Sequence, residues 1–249
     1  MRAIIIAAGV GSRLEDLTKE LPKPLVDVNG KSIIERQISL FKKNKIDDII
    51  IVTGHQKEKF CFENVEYVYN PLYKEREQVS SLMAARQKIV GDVIVSFGDI
   101  IFDESILCQI LTSKNDFVIG VDLDWKKSYE KRIDNSPIMS DFVAIKNGNI
   151  MRLFRSLKEF NEGYKIAEFI GLMKLSSEGS KIISAKLTTL GKNHVGKFHD
   201  AISFEKAKII DLLQELHESK IKIEPINIKG KWCEIDTIQD LEIARRIFN

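Results

Sequence analysis

Ala3-Ile4-Ile5-Ile6-Ala7-Ala8-Gly9-Val10-Gly11-Ser12-Arg13-Leu14 decides the fold. An unbroken apolar run that stops at glycine is the pattern of a parallel strand buried on both faces, because alternation disappears when neither face meets water. The glycines that follow let backbone N–H groups approach and wrap an anion. Arg13, with Lys23 of Pro22-Lys23-Pro24-Leu25, adds fixed positive charge. The segment therefore predicts a phosphate cradle at the carboxyl end of a first buried strand. Two familiar phosphate loops are excluded on named residues. A dinucleotide fingerprint needs glycine where Leu14 stands, and Gly30-Lys31-Ser32 has Leu25 where a Walker loop begins with glycine.

Outward from this strand the pattern alternates. Ser32 and Glu35 have capping-box spacing, and Ile34, Ile38 and Phe41 follow at helical period, so a helix begins at Ser32. Ile49 to Val52 gives a second buried strand ending at Thr53-Gly54, and Asp92 to Phe97 another ending at Gly98-Asp99. A short strand over Val65 to Tyr69, a helix over Ser80 to Ile89, a helix over 103–112 and a strand over 117–121 fill the intervals. This is α/β alternation around a largely parallel sheet. Beyond about residue 122 the texture changes. Phe142 to Ile145 and Ile150 to Phe154, joined through Asn147-Gly148, read as a hairpin expected to roof the ligand edge of the sheet. Phe169 to Leu175 is a further strand, Glu205 to His217 a helix, Ile221 to Ile228 an outer strand and Asp240 to Phe248 a closing helix.

The chain of 249 residues is long enough for one extended α/β domain, taken as 1–249, with 122–175 as an acceptor-side insertion. A formal net charge of +2 lacks the basic excess of a protein that coats nucleic acid, so no nucleic-acid partner is expected. Cys61, Cys108 and Cys233 are odd in number and lack a C-x-x-C pair, which fits a reducing cytoplasm rather than a disulfide framework or zinc knuckle. The run Ala3 to Ala8 is too short for a signal segment, and no stretch is long enough to span a bilayer, so no membrane partner is expected either. Apolar helices near the C-terminus would suit a homodimer or, equally, packing on the sheet.

Two acidic motifs complement the cradle. Asp99 ends Phe97-Gly98-Asp99 at the carboxyl end of a buried strand, where open α/β sheets bind ligands, and Asp236 lies in Trp232-Cys233-Glu234-Ile235-Asp236-Thr237. Either acid could hold a metal. The bland alternative is helix capping, by Asp99 for the helix after 103 and by Asp236 or Thr237 for the last helix. No Ser-His-Asp constellation is suggested; of the histidines only His199 stands out, in the loop before the helix expected from Glu205.

The Ala7-to-Leu14 run with Pro22-Lys23-Pro24-Leu25 resembles the signature of the sugar-phosphate nucleotidyltransferase superfamily. The resemblance covers 1–249 in order. It implies a Rossmann-like nucleotidyltransferase fold: a mixed, mostly parallel central sheet flanked by helices with a small β-hairpin insertion. It also implies that Asp99 and Asp236 hold Mg²⁺ between the α-phosphate and an acceptor phosphate, with Lys23 and Arg13 as catalytic cations. Ala8, Gly9, Gly11, Ser12, Gly54, Gln78, Ser80 and Gly98 are the candidate nucleotide contacts. Val121 to Tyr129, followed by Arg132, and Ala167 to Leu172 resemble the cytidylyltransferase branch that makes CDP-choline-type or CDP-aminoethylphosphonate-type products. CTP and a small phosphorylated acceptor are then the substrates, pyrophosphate the by-product, and surface-polysaccharide or lipid decoration the setting. Glu75-Arg76-Glu77-Gln78 departs from the Asn-Asn that many choline-type members carry. Trp125 and Tyr129 would wall an amine-bearing acceptor and Glu168 would complete its charge, the alternative being core packing. Competing functions are a hexose-1-phosphate nucleotidyltransferase and a binding domain that has lost the chemistry.

Overall fold

The computed structural model describes residues 1–129, 140–155, 157 and 163–248, with Ser12, Glu15 and Asp16 described by backbone alone. The opening run forms β1 (Arg2–Ala7), and a short ladder of β2 (Asp27–Val28) with β3 (Lys31–Ser32) turns the chain into α1 (Ile33–Lys43). Ser32 caps α1: its Oγ accepts from the Glu35 N–H at 3.3 Å, while Glu35 accepts from the Ser32 N–H at 2.6 Å. β4 (Asp48–Thr53), β5 (Glu66–Tyr69), α2 (Gln78–Ala84) and β6 (Val93–Phe97) follow, then β7 (Ile100–Phe102), α3 (Glu104–Thr112) and β8 (Phe117–Asp122). The later elements are α4 (Trp125–Tyr129), β9 (Phe142–Lys146), β10 (Asn149–Phe154), β11 (Lys165–Leu175) and α5 (Ser177–Asn193). They end with α6 (Ile209–Glu218), β12 (Glu224–Asn227), β13 (Trp232–Glu234) and α7 (Ile238–Ile247).

A nine-stranded sheet runs in the order β10-β9-β11-β6-β1-β4-β5, with β8 added along β11 and β12 along β8. β1, β4, β5 and β6 are mutually parallel, whereas β11 is antiparallel to β6, β8 and β9. Ile4, Ile5, Ile50, Ile51 and Ile94 have 0% exposure, as strands covered on both faces require. Each such side chain contributes about 2 kcal/mol of burial.

The chain beyond residue 122 departs from expectation in instructive ways. Asn147 (φ 52°) and Gly148 (φ 78°) make the tight turn that the sequence announces. The hairpin does not roof the sheet, however. β9 pairs with Lys165–Glu168 of β11 and so prolongs the sheet at its edge. β11 itself is no part of an insertion: its first half pairs with β9, its second with β6, and β8 runs along its other side. The register breaks between Phe169 and Met173, where Gly171 takes φ 77°. A Cβ at Gly171 would lie 2.5 Å from Cδ2 of Phe97, so the bend needs both the positive φ and the missing side chain. The helix expected from Glu205 starts instead at Ile209, after a 3₁₀ turn at Phe204–Lys206, because Asp211 accepts from the Lys208 N–H and fixes the first turn there.

A second, smaller core of Leu14, Val26, Val28, Ile33, Ile101, Cys233, Ile235, Leu241 and Ala244 lies under the C-terminal motif. It glues the phosphate-loop segment to β13 and α7, and this is what brings the two ends of the chain together. No described helix is long and apolar enough to cross a membrane.

Candidate active site

β13 pairs antiparallel with β7, placing Glu234 opposite Ile100, and the Ile235 N–H donates to the Asp99 carbonyl at 3.0 Å. This register sets Asp99, Glu234 and Asp236 side by side, with one ligand oxygen from each lying within 4.8 Å of the others. Their backbones are held from behind. Gln37 of α1 donates Nε2–H bonds to the carbonyls of Phe97 (2.8 Å) and Ile100 (2.7 Å), fixing the turn that carries Asp99. Asp240 Oδ2 accepts from the N–H groups of Asp236 (3.1 Å) and Thr237 (2.9 Å). Both neighbouring helices have caps of their own. Asp103 caps α3 by accepting from the Ile106 N–H, and Thr237 caps α7 by accepting from the Asp240 N–H.

Lys23 enters this cluster from the 3₁₀ turn Lys23–Leu25, its ammonium 2.8 Å from Asp99 Oδ2 and 2.5 Å from Asp236 Oδ1. Burial alone would push the lysine pKa down. The fields of Asp99, Asp236 and Glu234 outweigh burial and hold the pKa above the ordinary lysine range, so the side chain stays charged. Glu234 shifts in the opposite sense for a carboxylate. Burial first, then Asp236 and Asp99, raise it well above the usual range, so a further cation is what would favour its charged form. Arg13 Nη2 reaches Asp236 Oδ1 at 2.9 Å while most of its side chain stays in solvent. Gly11 (φ 69°) is set directly against Lys23: a Cβ there would stand 2.7 Å from the lysine Cβ.

Two contiguous cavities meet at these residues. The first, about 430 Å³, is walled by Ala8, Gly9, Gly11, Gln78, Gly98 and Tyr73; the second, about 300 Å³, by Asp141, Glu168, Phe169, Ile170 and Trp232. Arg13, Gln78, Phe97, Lys208, Glu234 and Asp236 border both. The structure thus brings Ala8, Gly9, Gly11, Arg13, Lys23, Gln78, Gly98, Asp99 and Asp236 together as the sequence suggests. Ser12 follows Gly11 in the loop, described by backbone alone.

Other expected contacts lie elsewhere. Gly54 sits behind the wall, against the Ala8 carbonyl and the Tyr73 side chain. Ser80 is buried against Asn70, and its neighbour Ser81 lines the cavity instead. Trp125 and Tyr129 line neither cavity. They form a satellite core with Phe142, Ala144 and Phe154, because the Trp125 ring packs 4.9 Å from Phe142 and its Nε1–H is committed to the Ile166 carbonyl at 2.9 Å. Tyr129 reaches the site through two residues of the second cavity: its hydroxyl donates to Glu168 Oε1 at 2.6 Å and lies 2.6 Å from Ser140 Oγ. Among the sequence candidates for the acceptor, Glu168 alone lines the second cavity. Arg132 lies outside the described residues. His199 stands away from both cavities with Nε2 3.0 Å from Glu215 Oε2.

The sequence reading missed Glu234, Asp141 and Lys208. Glu234 had a signal: it is two residues from Asp236 on an extended segment, where alternate side chains share a face. Asp141 and Lys208 had none.

Residues 3–123 match the MobA-like NTP transferase domain. Over 98% of its length the chain is 30% identical to CTP:phosphoglutamine cytidylyltransferase of Campylobacter jejuni, covering 98% of that protein. It is 37% identical to choline-phosphate cytidylyltransferase of Streptococcus pneumoniae over 106 residues, 41% of this chain and 46% of that one. The fold superposes on the solved structure of CTP:phosphocholine cytidylyltransferase from Streptococcus pneumoniae with a TM-score of 0.75 at 20% identity, covering 100% of this chain and 99% of the other. The cradle and the acidic cluster sit in a fold shared along its whole length with such proteins, and the chain belongs to the nucleotidyltransferase family, in its cytidylyltransferase branch.

Proposed function

We propose that this enzyme transfers CMP from CTP to a small phosphorylated or phosphonate acceptor, with Mg²⁺ as cofactor and release of pyrophosphate. The observation that carries the reading is the meeting of two cavities, one walled by the glycine loop and one by antiparallel strands, at Glu234 and Asp236, beside the ammonium of Lys23. CTP as donor is supported by the Campylobacter jejuni relative, whose name states that nucleotide and which aligns along nearly the whole chain.

The donor set suits the metal. Asp99 Oδ1 is buried with no hydrogen-bond partner among the described residues, and three clustered carboxylates offer the hard oxygens that Mg²⁺ takes. When bound, Mg²⁺ would neutralise charge on the reacting phosphates and favour an in-line approach. The chain's own residues do the rest. The loop Ala8–Gly11 faces the triphosphate with backbone donors, and Lys23 and Arg13 supply positive charge to oxygens that become more negative as the bond between the α- and β-phosphates breaks. The acceptor phosphate oxygen forms the new bond to the α-phosphorus, and pyrophosphate leaves with the electron pair. An acceptor phosphate needs no general base, because its second pKa of about 6 leaves it largely a dianion near neutrality. The exposed free thiols of Cys61 and Cys108 suit the reducing cytoplasm in which we place the reaction.

The test is pyrophosphate release with Mg²⁺, crossing CTP, UTP, dTTP, ATP and GTP against phosphocholine, aminoethylphosphonate, phosphoglutamine, glycerol phosphate and hexose 1-phosphates. Release that needs both CTP and a small non-sugar phosphate is the expected result. Release with hexose 1-phosphates alone would replace the proposal by NDP-sugar synthesis.

A further inference from the structure

The second cavity contains a carboxylate that the acidic cluster does not use. Asp141, immediately before β9, is 8% exposed and lines the cavity beside Glu168. Its carbonyl accepts from the Phe169 N–H at 2.8 Å, pinning the residue to β11. Its Oδ1 is buried and has no hydrogen-bond partner among the described residues. The Lys208 ammonium stands 3.7 Å away, beyond hydrogen-bond reach. Glu168 lines the same cavity, with its Oε1 accepting from the Tyr129 hydroxyl at 2.6 Å.

We propose that Asp141 is a specificity-determining residue of the acceptor site, and that the acceptor carries a protonated amine with at least one N–H, which Asp141 accepts. The proposal rests on reading the second cavity as the acceptor pocket. A buried carboxylate oxygen with no donor is unfavourable, so a ligand that enters beside it is selected for supplying one. A primary ammonium brings positive charge and three donors. A trimethylammonium brings the charge alone and is stabilised by aromatic faces instead. Phe97, Phe169 and Trp232 do border the cavity, yet a trimethylammonium laid on them leaves Oδ1 unsatisfied. Trp125 and Tyr129, which would complete an aromatic cage, are turned into the satellite core. A hydroxyl of a neutral acceptor would satisfy the hydrogen bond without adding positive charge beside the carboxylate.

The experiment is a methylation series with the intact enzyme, CTP and Mg²⁺: phosphoethanolamine and its N-methyl, N,N-dimethyl and N,N,N-trimethyl homologues, with glycerol phosphate as the neutral control. The readout is kcat/KM for pyrophosphate release. The expected result is one step of at least about tenfold at the third methylation, where the last N–H disappears, because a site built to bond an N–H rejects the analogue lacking it. In Asp141→Ala that step should shrink to less than about threefold, with a thermal melt confirming that the variant is folded; Asp141→Asn, which keeps an acceptor oxygen, should retain part of it. A merely structural Asp141 would lower every member of the series alike, and that outcome overturns the proposal, as does a trimethyl compound used as well as the dimethyl one. Turnover of a neutral phosphate ester with silence toward every amine overturns it while leaving nucleotidyl transfer intact. Silence toward all acceptors by an enzyme that still binds CTP removes the proposed activity and this inference with it.

Discussion

The two cavities are built on different principles. The first is edged by the carboxyl ends of parallel strands, and its ligand-facing groups come from the loops that follow them: Ala8–Gly11 after β1, Gly98 and Asp99 after β6. Its charges answer one another, as Lys23 does with Asp99 and Asp236. The second is edged by antiparallel strands, and Glu168, Phe169 and Ile170 reach it from within β11, with Asp141 left unsatisfied. A site for a polyphosphate can be made of backbone and a few cations, and so can serve any nucleoside triphosphate. A site that chooses among small acceptors must keep a particular side chain waiting.

The contrast can be broken most forcefully at Lys23. Lys23→Ala should lower kcat by about a thousandfold or more and destabilise the protein by about 3–5 kcal/mol through loss of the buried cation between Asp99 and Asp236. Millimolar Mg²⁺ should restore much of that stability in a thermal melt and none of the turnover; a variant whose melt ignores Mg²⁺ would speak against a metal site here. Asp99→Asn should cost about a hundredfold in kcat with every acceptor alike, whereas the Asp141 variants should change the ranking of acceptors, and steady-state kinetics on two acceptors separates these patterns. Trp125→Leu should cost about 3 kcal/mol in denaturant melts by hollowing the satellite core while leaving acceptor KM within about twofold. A collapse of acceptor affinity at unchanged stability would instead return Trp125 to the binding wall. Gly11→Ala should cost about 1–2 kcal/mol for the left-handed backbone and raise the KM for CTP more than that for the acceptor, since its methyl would push on Lys23. The smallest effect is expected for Ser32→Ala, about 1 kcal/mol of stability from the lost cap with unaltered kinetics.

The same division governs what could be read from the sequence. The cradle was legible because its parts are neighbours: glycines, Arg13 and the Pro-Lys-Pro run follow one strand within a couple of turns of chain. The Ser32–Glu35 cap and the Asn147-Gly148 turn were legible for the same reason. What depended on pairing between distant segments was not. The hairpin's turn announced itself, but its place beside β11 is set by a register that no local pattern encodes. α5 went unread because serines, a glycine and threonines interrupt its apolar face, leaving Ile183 and Leu187 as its large fully buried side chains. Asp141 and Lys208 look like ordinary surface charges until folding sets them against one cavity. Trp125 and Tyr129 erred the other way: an aromatic pair in a charged stretch suggests a ligand wall, and packing claimed it.

Lys23 and Asp236 stand 213 residues apart in sequence. A ribosome making this protein therefore completes the glycine loop and the parallel strands long before β13 exists to deliver Glu234 and Asp236. Throughout that interval Lys23 has only Asp99 for company, and the growing chain can fold its central strands without being able to hold the complete acidic cluster. Catalytic competence arrives late in synthesis, in one step, when the segment carrying residues 232–236 docks onto β7.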